Sequence, residues 1–267
     1  MAAGQSAARP FGRLGPPLRP GHDGTALAFG DSWRRGLNAA APRVAIGLHV
    51  TLTAPFRPLS QDFAAKTGKQ FLPLAQTVRH ALVRRFNRQA LISEIEAQLQ
   101  AFHAAFGRMP DFFDGHHHVH LLPQINAALI DVIRVAAPTA WVRQCGRNAP
   151  LLPRLADRKG LLLDLFSYGL RRRASAAGVR MNTAFAGTYD LNEGAQFASL
   201  FPGFLALLTE GGVIMCHPGL VDAELQRLDS LTTLREQEYA YLASDAFPIM
   251  LAENAVSLAA PIAPGAA

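Results

Sequence analysis

Apolar residues at Leu91, Ile95, Leu99, Phe102 and Phe106 fall on one stripe, the period of an amphipathic helix, and Gly107 stands where a left-handed C-cap belongs. His103 lies beside that stripe and reads as structural. The same period returns at Ile125, Ala128, Leu129, Val132, Ile133 and Ala136, where Pro138 stops it. Between and around these helices lie short apolar runs of strand length. They are Arg43 to Thr53, interrupted only by His49; Met109 to Asp114, ending at Gly115; Ala140 to Arg143; and Gly211 to His217, ended by Pro218 and Gly219. Alternation of strand and helix predicts a parallel α/β fold. Every apolar run breaks before 18 residues, so no membrane span is expected, and no internal repeat is evident.

At 267 residues with 49% hydrophobic content the chain can bury one large core. Residues 1–42 are rich in Gly, Pro and Arg without hydrophobic period and read as an arm, followed by one domain over 43–258 and a flexible tail over 259–267. Two cysteines, Cys145 and Cys216, make no disulfide framework and fit a reducing, cytoplasmic compartment. A thiol nucleophile at Cys216 is disfavoured, because buried strand cysteines are common. The net charge of +6 and the runs Arg84-Arg85 and Arg171-Arg172-Arg173 raise the question of a nucleic-acid binder. The arginines are scattered over helix surfaces with no interleaved aromatic motif, so no nucleic-acid partner is expected.

The candidate chemistry is concentrated in Asp114-Gly115-His116-His117-His118-Val119-His120, four imidazoles in seven residues at the mouth of a strand. In an extended segment His116, His118 and His120 share one face and His117 points away. One or two of them would ligate a metal, and a catalytic ion needs three protein ligands plus an open position. The rest must come from elsewhere. His49, the single polar interruption of one apolar run, and His217, at the tip of another, are the candidates, and histidines at the carboxyl ends of several strands are how barrel-type α/β enzymes build sites.

These residues carry a resemblance. Gly47-Leu48-His49-Val50-Thr51-Leu52-Thr53, Gly107-Arg108-Met109-Pro110, the Asp114–His120 element with Pro123, Arg180 to Gly187, Met215 to Gly219 and Arg235 to Leu242 resemble the YdjC family of carbohydrate deacetylases, over roughly residues 43–256. That family includes chitooligosaccharide and hopanoid-biosynthesis-associated deacetylases. The resemblance implies a distorted (β/α) barrel and a divalent-metal hydrolase, Mg2+ or Zn2+, that removes an acetyl group from an N-acetylated sugar or sugar-lipid. A peripheral approach to a membrane and a homodimer are compatible with it. His49 and His116 match the family's two metal-binding histidines.

The family's third ligand is an Asp in an Asp-Asp-Phe-Gly motif at the end of the first strand, whose preceding Asp acts as base. This chain has no such motif, and residues 1–40 contain only Asp23 and Asp31 as acids. The expectation is therefore a barrel without its first β-α unit, through a start-site or frameshift fault or a real loss. In the latter case the chain would be a catalytically impaired homologue that binds sugar or a partner. If the chemistry is intact, His217 is the candidate general acid, and Asp114, His118 and His120 are the candidates for the missing base. Asp114 is also read as orienting an imidazole. Arg143 is read as a contact to sugar hydroxyls or an oxyanion, or else as the partner of a surface acid; His118 and His120 are further substrate-binding candidates.

Overall fold

A computed structural model of the chain describes residues 44–147, 158–190, 195–228 and 231–258. The segments read above as an arm (1–42) and a tail (259–267) lie outside the described residues, as does the boundary at 43.

The described residues form a mixed α/β fold built on short parallel strands. Strands β1 (Leu48–Val50), β2 (Phe112–Gly115), β3 (Trp141–Val142) and β4 (Arg180–Met181) lie side by side in chain order, all parallel. A second parallel pair joins β5 (Phe185–Ala186) to β6 (Val213–Ile214). The β1–β2 register sets His49 beside Asp114 and Val50 beside Gly115. Two residues far apart in sequence thus meet at the carboxyl end of the sheet.

Short helices α1 (Gln61–Thr67) and α2 (Leu74–Leu82) follow β1. Helix α3 (Arg88–Phe106) begins where the Asn87 side chain accepts from the Ala90 N–H at 3.0 Å, and ends at Gly107 with φ of 69°. All five residues of its predicted stripe are buried. Burying one such aromatic contributes about 1.5–3 kcal/mol, and Phe102 and Phe106 stack at 4.5 Å between centroids. Helix α4 (Ile125–Ala136) packs on α3, and α5 (Arg158–Ala176) packs on α4 and β4. Both stripes read from the sequence are therefore the inner faces of the layer over the sheet. His103 is exposed on the outer face of α3.

The strands are shorter than the apolar runs that encode them, because side chains take over the role of neighbouring strands. Beyond Val50, the Gln98 carboxamide accepts from the Thr51 N–H at 3.0 Å and donates to the Thr51 carbonyl at 2.8 Å. Ahead of β1, Asp111 accepts from the Ile46 N–H at 2.7 Å. Buried Glu94, one turn before Gln98 on α3, accepts from the N–H groups of Leu59 and Ser60 at 3.2 and 2.8 Å, and burial raises its pKa. These clamps fix the chain on either side of His49.

A second, smaller core lies beneath β5 and β6. Helices α6 (Phe197–Leu205), α8 (Thr233–Leu242) and α9 (Ala246–Glu253) supply Phe197, Phe201, Phe204 and Phe247, with Tyr189 and Tyr241 packed against them; α7 (Ala223–Leu228) precedes α8. The join between β5 and β6 depends on Gly187. Its φ is +94°, and a Cβ there would stand 2.2 Å from the Met215 carbonyl oxygen. Gly187→Ala is expected to destabilise the protein by roughly 1–3 kcal/mol or more. Thermal denaturation checks this, and an unchanged midpoint would refute the close approach.

Candidate active site

The site grows from the strand ends. Asp114, the penultimate residue of β2, accepts at Oδ1 from His49 Nδ1 at 2.6 Å and at Oδ2 from Arg143 Nη2 at 3.0 Å. Arg143 directly follows β3, where its backbone N–H donates to the Phe113 carbonyl at 2.9 Å and so fixes where its side chain starts. Burial pushes the Asp114 carboxyl up, but His49 and Arg143 outweigh it and hold the group well below the usual carboxylate range. Asp114 is thus an ionised carboxylate with both oxygens engaged. Arg143 has only 5% of its side chain exposed; its Nη1 lies 3.3 Å from Met215 Sδ and its guanidinium 5.4 Å from the Phe185 ring centroid. β5 and the segment after β6 therefore reach the same place as β1, β2 and β3.

The histidine run does not continue as a strand. From His116 to Leu121 the chain turns as a 3-10 helix in which His117 (φ 52°, ψ 26°) and His118 (φ 57°, ψ 23°) are left-handed. The expected sharing of one face by His116, His118 and His120 is replaced by divergence, because two consecutive left-handed residues break the period-two alternation that holds only in extended chain. Non-glycine residues in that region are uncommon. Gly115, just before the turn, has no Cβ because the His120 backbone and ring fold back to within 2.9 Å of where one would be.

Each imidazole consequently has its own surroundings. His116 lies edge-on to His49 and to Phe56, with centroids 5.7 Å apart in both cases. His117 is exposed, with Nδ1 3.1 Å from Thr53 Oγ1. His118 Nδ1 is 3.5 Å from Cys145 Sγ, and its ring stands edge-on to Phe185. His120 is fully buried; its Nε2 lies 2.8 Å from the Arg143 carbonyl oxygen, which can only accept, so Nε2 carries the proton. Burial first, and the Arg143 charge second, lower the pKa of His118 well below its ordinary value and that of His120 to about 3. Both rings are neutral near pH 7. His120, read from the sequence as a base or substrate-binding candidate, has no exposed surface and lies beneath Arg143.

His217 follows Cys216 at the end of the β6 segment. It lies near enough to His118 to be, behind burial, Arg143 and His120, a minor cause of the lowering of His118. Its backbone N–H donates to Glu238 and its carbonyl accepts from Arg235 Nη1 at 3.5 Å. Burial raises the thiols of Cys145 and Cys216 to about 12, so neither is a nucleophile near neutral pH.

Two of these residues suit a divalent ion. His49 gives Nδ1 to Asp114 and so has Nε2 left for a metal, the carboxylate–imidazole arrangement that orients metal-bound histidines. Two imidazoles on a tetrahedral ion with Zn–N bonds of ~2.0–2.1 Å have centroids roughly 5 Å apart; His49 and His116 are at 5.7 Å. Among the described residues no group of three His, Cys, Asp or Glu side chains is placed to hold an ion. Asp114, committed to His49 and Arg143, is the orienting partner.

Phe56, Thr53 and Glu238 were not apparent from the sequence as parts of the site. Glu238 alone left a signal, an acidic residue four positions after Leu234 on the buried side of α8.

Parallel strands with imidazole, carboxylate and guanidinium groups converging at their carboxyl ends define a mixed α/β protein with a polar site at its strand tips. The chain belongs to the YdjC-like protein family, whose model matches residues 23–253. The match takes in part of the segment read from the sequence as an arm. Over 201 residues the chain is 30% identical to chitooligosaccharide deacetylases of Yersinia pestis (strain Pestoides F) and Yersinia pseudotuberculosis serotype O:1b (strain IP 31758). The alignment covers 71% of this chain and 66% of each relative, so the chain spans just under two thirds of their length. The crystal structure of a protein from Enterococcus faecalis V583, described as a cellobiose-phosphate cleavage protein, superposes with a TM-score of 0.62 at 21% identity, covering 86% of this chain and 81% of that one. The two share a fold. No described helix is long and apolar enough to cross a membrane.

Proposed function

We propose that this chain is a carbohydrate deacetylase, a hydrolase that cleaves the amide C–N bond of an N-acetylated sugar or sugar-lipid on a distorted (β/α) barrel. The observation that carries the reading is the chain of contacts from Arg143 through Asp114 to His49, with His116 at its open end. The names of the curated relatives support the substrate class. His49 and His116 would hold the divalent metal, Mg2+ or Zn2+. When bound, such an ion polarises the acetyl carbonyl and lowers the pKa of a water beside it.

The chain's own residues do the remaining work. Asp114 fixes the His49 tautomer, and Arg143 keeps Asp114 ionised. Because both Asp114 oxygens already accept hydrogen bonds, it orients rather than takes a proton. Water adds to the acetyl carbon as its proton passes to the surrounding solvent, the C–N bond breaks, and protonated His217 gives its proton to the leaving amine as acetate departs. The reading places the enzyme in the cytoplasm, with a peripheral approach to a membrane if the sugar is lipid-linked.

A second reading, sugar binding without hydrolysis, is favoured by one observation: the described residues supply two imidazoles and no complete three-ligand set. Elemental analysis together with acetate release from an N-acetylglucosamine oligomer separates the two. Stoichiometric metal and acetate are expected, with His116→Ala losing the metal and at least roughly 100-fold in rate. Oligomer binding without acetate would establish the second reading instead.

A further inference from the structure

One wall of the candidate site is held by a buried carboxylate that the histidine cluster does not use. Glu238 on α8 has no exposed surface. One oxygen accepts the backbone N–H of His217, and the other accepts the Tyr189 hydroxyl at 2.5 Å. One turn earlier on the helix, Arg235 donates from Nη1 to the His217 carbonyl at 3.5 Å, and its own carbonyl accepts the Gly219 N–H at 3.1 Å. The peptide groups on both sides of His217 are thereby gripped by a single helix. Tyr189 extends from β5 just past Gly187, and His217 from β6, so Glu238 also ties the two strand extensions together.

Packing alone does not account for an acid here. Glu238 lies four residues after Leu234 on the buried side of α8, a position that an apolar side chain would fill without desolvating a carboxylate. Burial raises its pKa, the mark of that cost. The group does have a use that follows from its contacts: it fixes the position of a main-chain N–H adjacent to an imidazole.

We infer that Glu238 is a positioning residue for His217, anchoring its backbone so that the imidazole meets the leaving amine. The inference rests on the deacetylase reading. A misplaced acid slows the chemical step more than it weakens substrate binding, so a displacement on the order of 1 Å costs about 100-fold in rate.

The test uses the full chain with Glu238→Ala and Glu238→Gln, an N-acetylglucosamine oligomer as substrate, and hydrogen exchange at the His217 amide. Glu238→Ala is expected to lower kcat by about 100-fold with KM held within about threefold, and to speed exchange at His217 by at least roughly tenfold. In Glu238→Gln the amide oxygen accepts from His217 and the amide nitrogen donates to the Tyr189 oxygen, so kcat should return to within about tenfold of wild type. Should Glu238→Ala fail to fold, Glu238→Asp, whose carboxylate is drawn back by one methylene, is expected to show the same kcat loss at unchanged KM. A kcat within about threefold of wild type in the Ala or Asp variant, or a rise in KM that matches the loss of kcat, overturns the assignment. If the wild-type chain releases no acetate, the deacetylase reading falls and the catalytic use of the clamp with it. Unchanged exchange at His217 in Glu238→Ala overturns the clamp itself, whatever the activity.

Discussion

Asp114→Asn is expected to cost about 3–5 kcal/mol of stability near neutral pH, because it leaves the Arg143 guanidinium buried without its counter-charge. Arg143 is only 5% exposed, and its other contacts, Met215 Sδ and the Phe185 face, carry no full negative charge. The substitution should also release His49 from its tautomer and lower metal affinity by about 10–100-fold. Acid gives an independent signature. The folded-state pKa of Asp114 is depressed, so its stabilisation is fully present above the unfolded value near 3.8 and is lost as pH falls below it. The stability gap between wild type and variant, measured by urea denaturation, should shrink as pH falls below about 4. A gap under about 1 kcal/mol at pH 7 would show that the pair is worth no more than a surface ion pair.

The second large effect is at His217. His217→Ala is expected to lower kcat by about 100- to 10,000-fold, the range for loss of a positioned general acid. If His217 is the general acid proposed above, KM should change little, since the imidazole would act on the developing amine and not on the bound sugar. On that reading the wild type loses kcat on the alkaline side, where a general acid gives up its proton, and that limb should vanish in the variant. Acetate release against pH in both proteins checks it, and a loss below about tenfold would assign the proton to another group.

Much of the architecture was legible because burial imposes a period. The stripes from Leu91 to Phe106 and from Ile125 to Ala136 are the buried faces of α3 and α4, and Gly107 is the left-handed cap its position implied. Strand bounds were less legible. Among the described residues of the run from Arg43 to Thr53, only Leu48–Val50 pairs as strand, since Gln98 and Asp111 satisfy flanking peptide groups from other elements. Hydrophobicity marks what is buried and carries no information about which donor will meet which acceptor. Glu94, Gln98 and Glu238 sit on buried helix faces as polar interruptions, a signal that a period count treats as noise.

By itself the sequence determined where the chemistry is concentrated. His49 interrupts one apolar run, and His116 and His217 follow two others, where a strand leaving the core exposes its polar groups. The tertiary structure decided what each imidazole meets. The β1–β2 register sets His49 against Asp114, and β3 delivers Arg143 to the same carboxylate. His116, before the turn, stands edge-on to His49, and the two left-handed residues after it fold the chain back so that His120 is buried beneath Arg143. Local propensity favours neither that register nor that turn; both follow from contacts between residues tens of positions apart, such as Arg143 with Asp114 and with Met215, 72 positions further on.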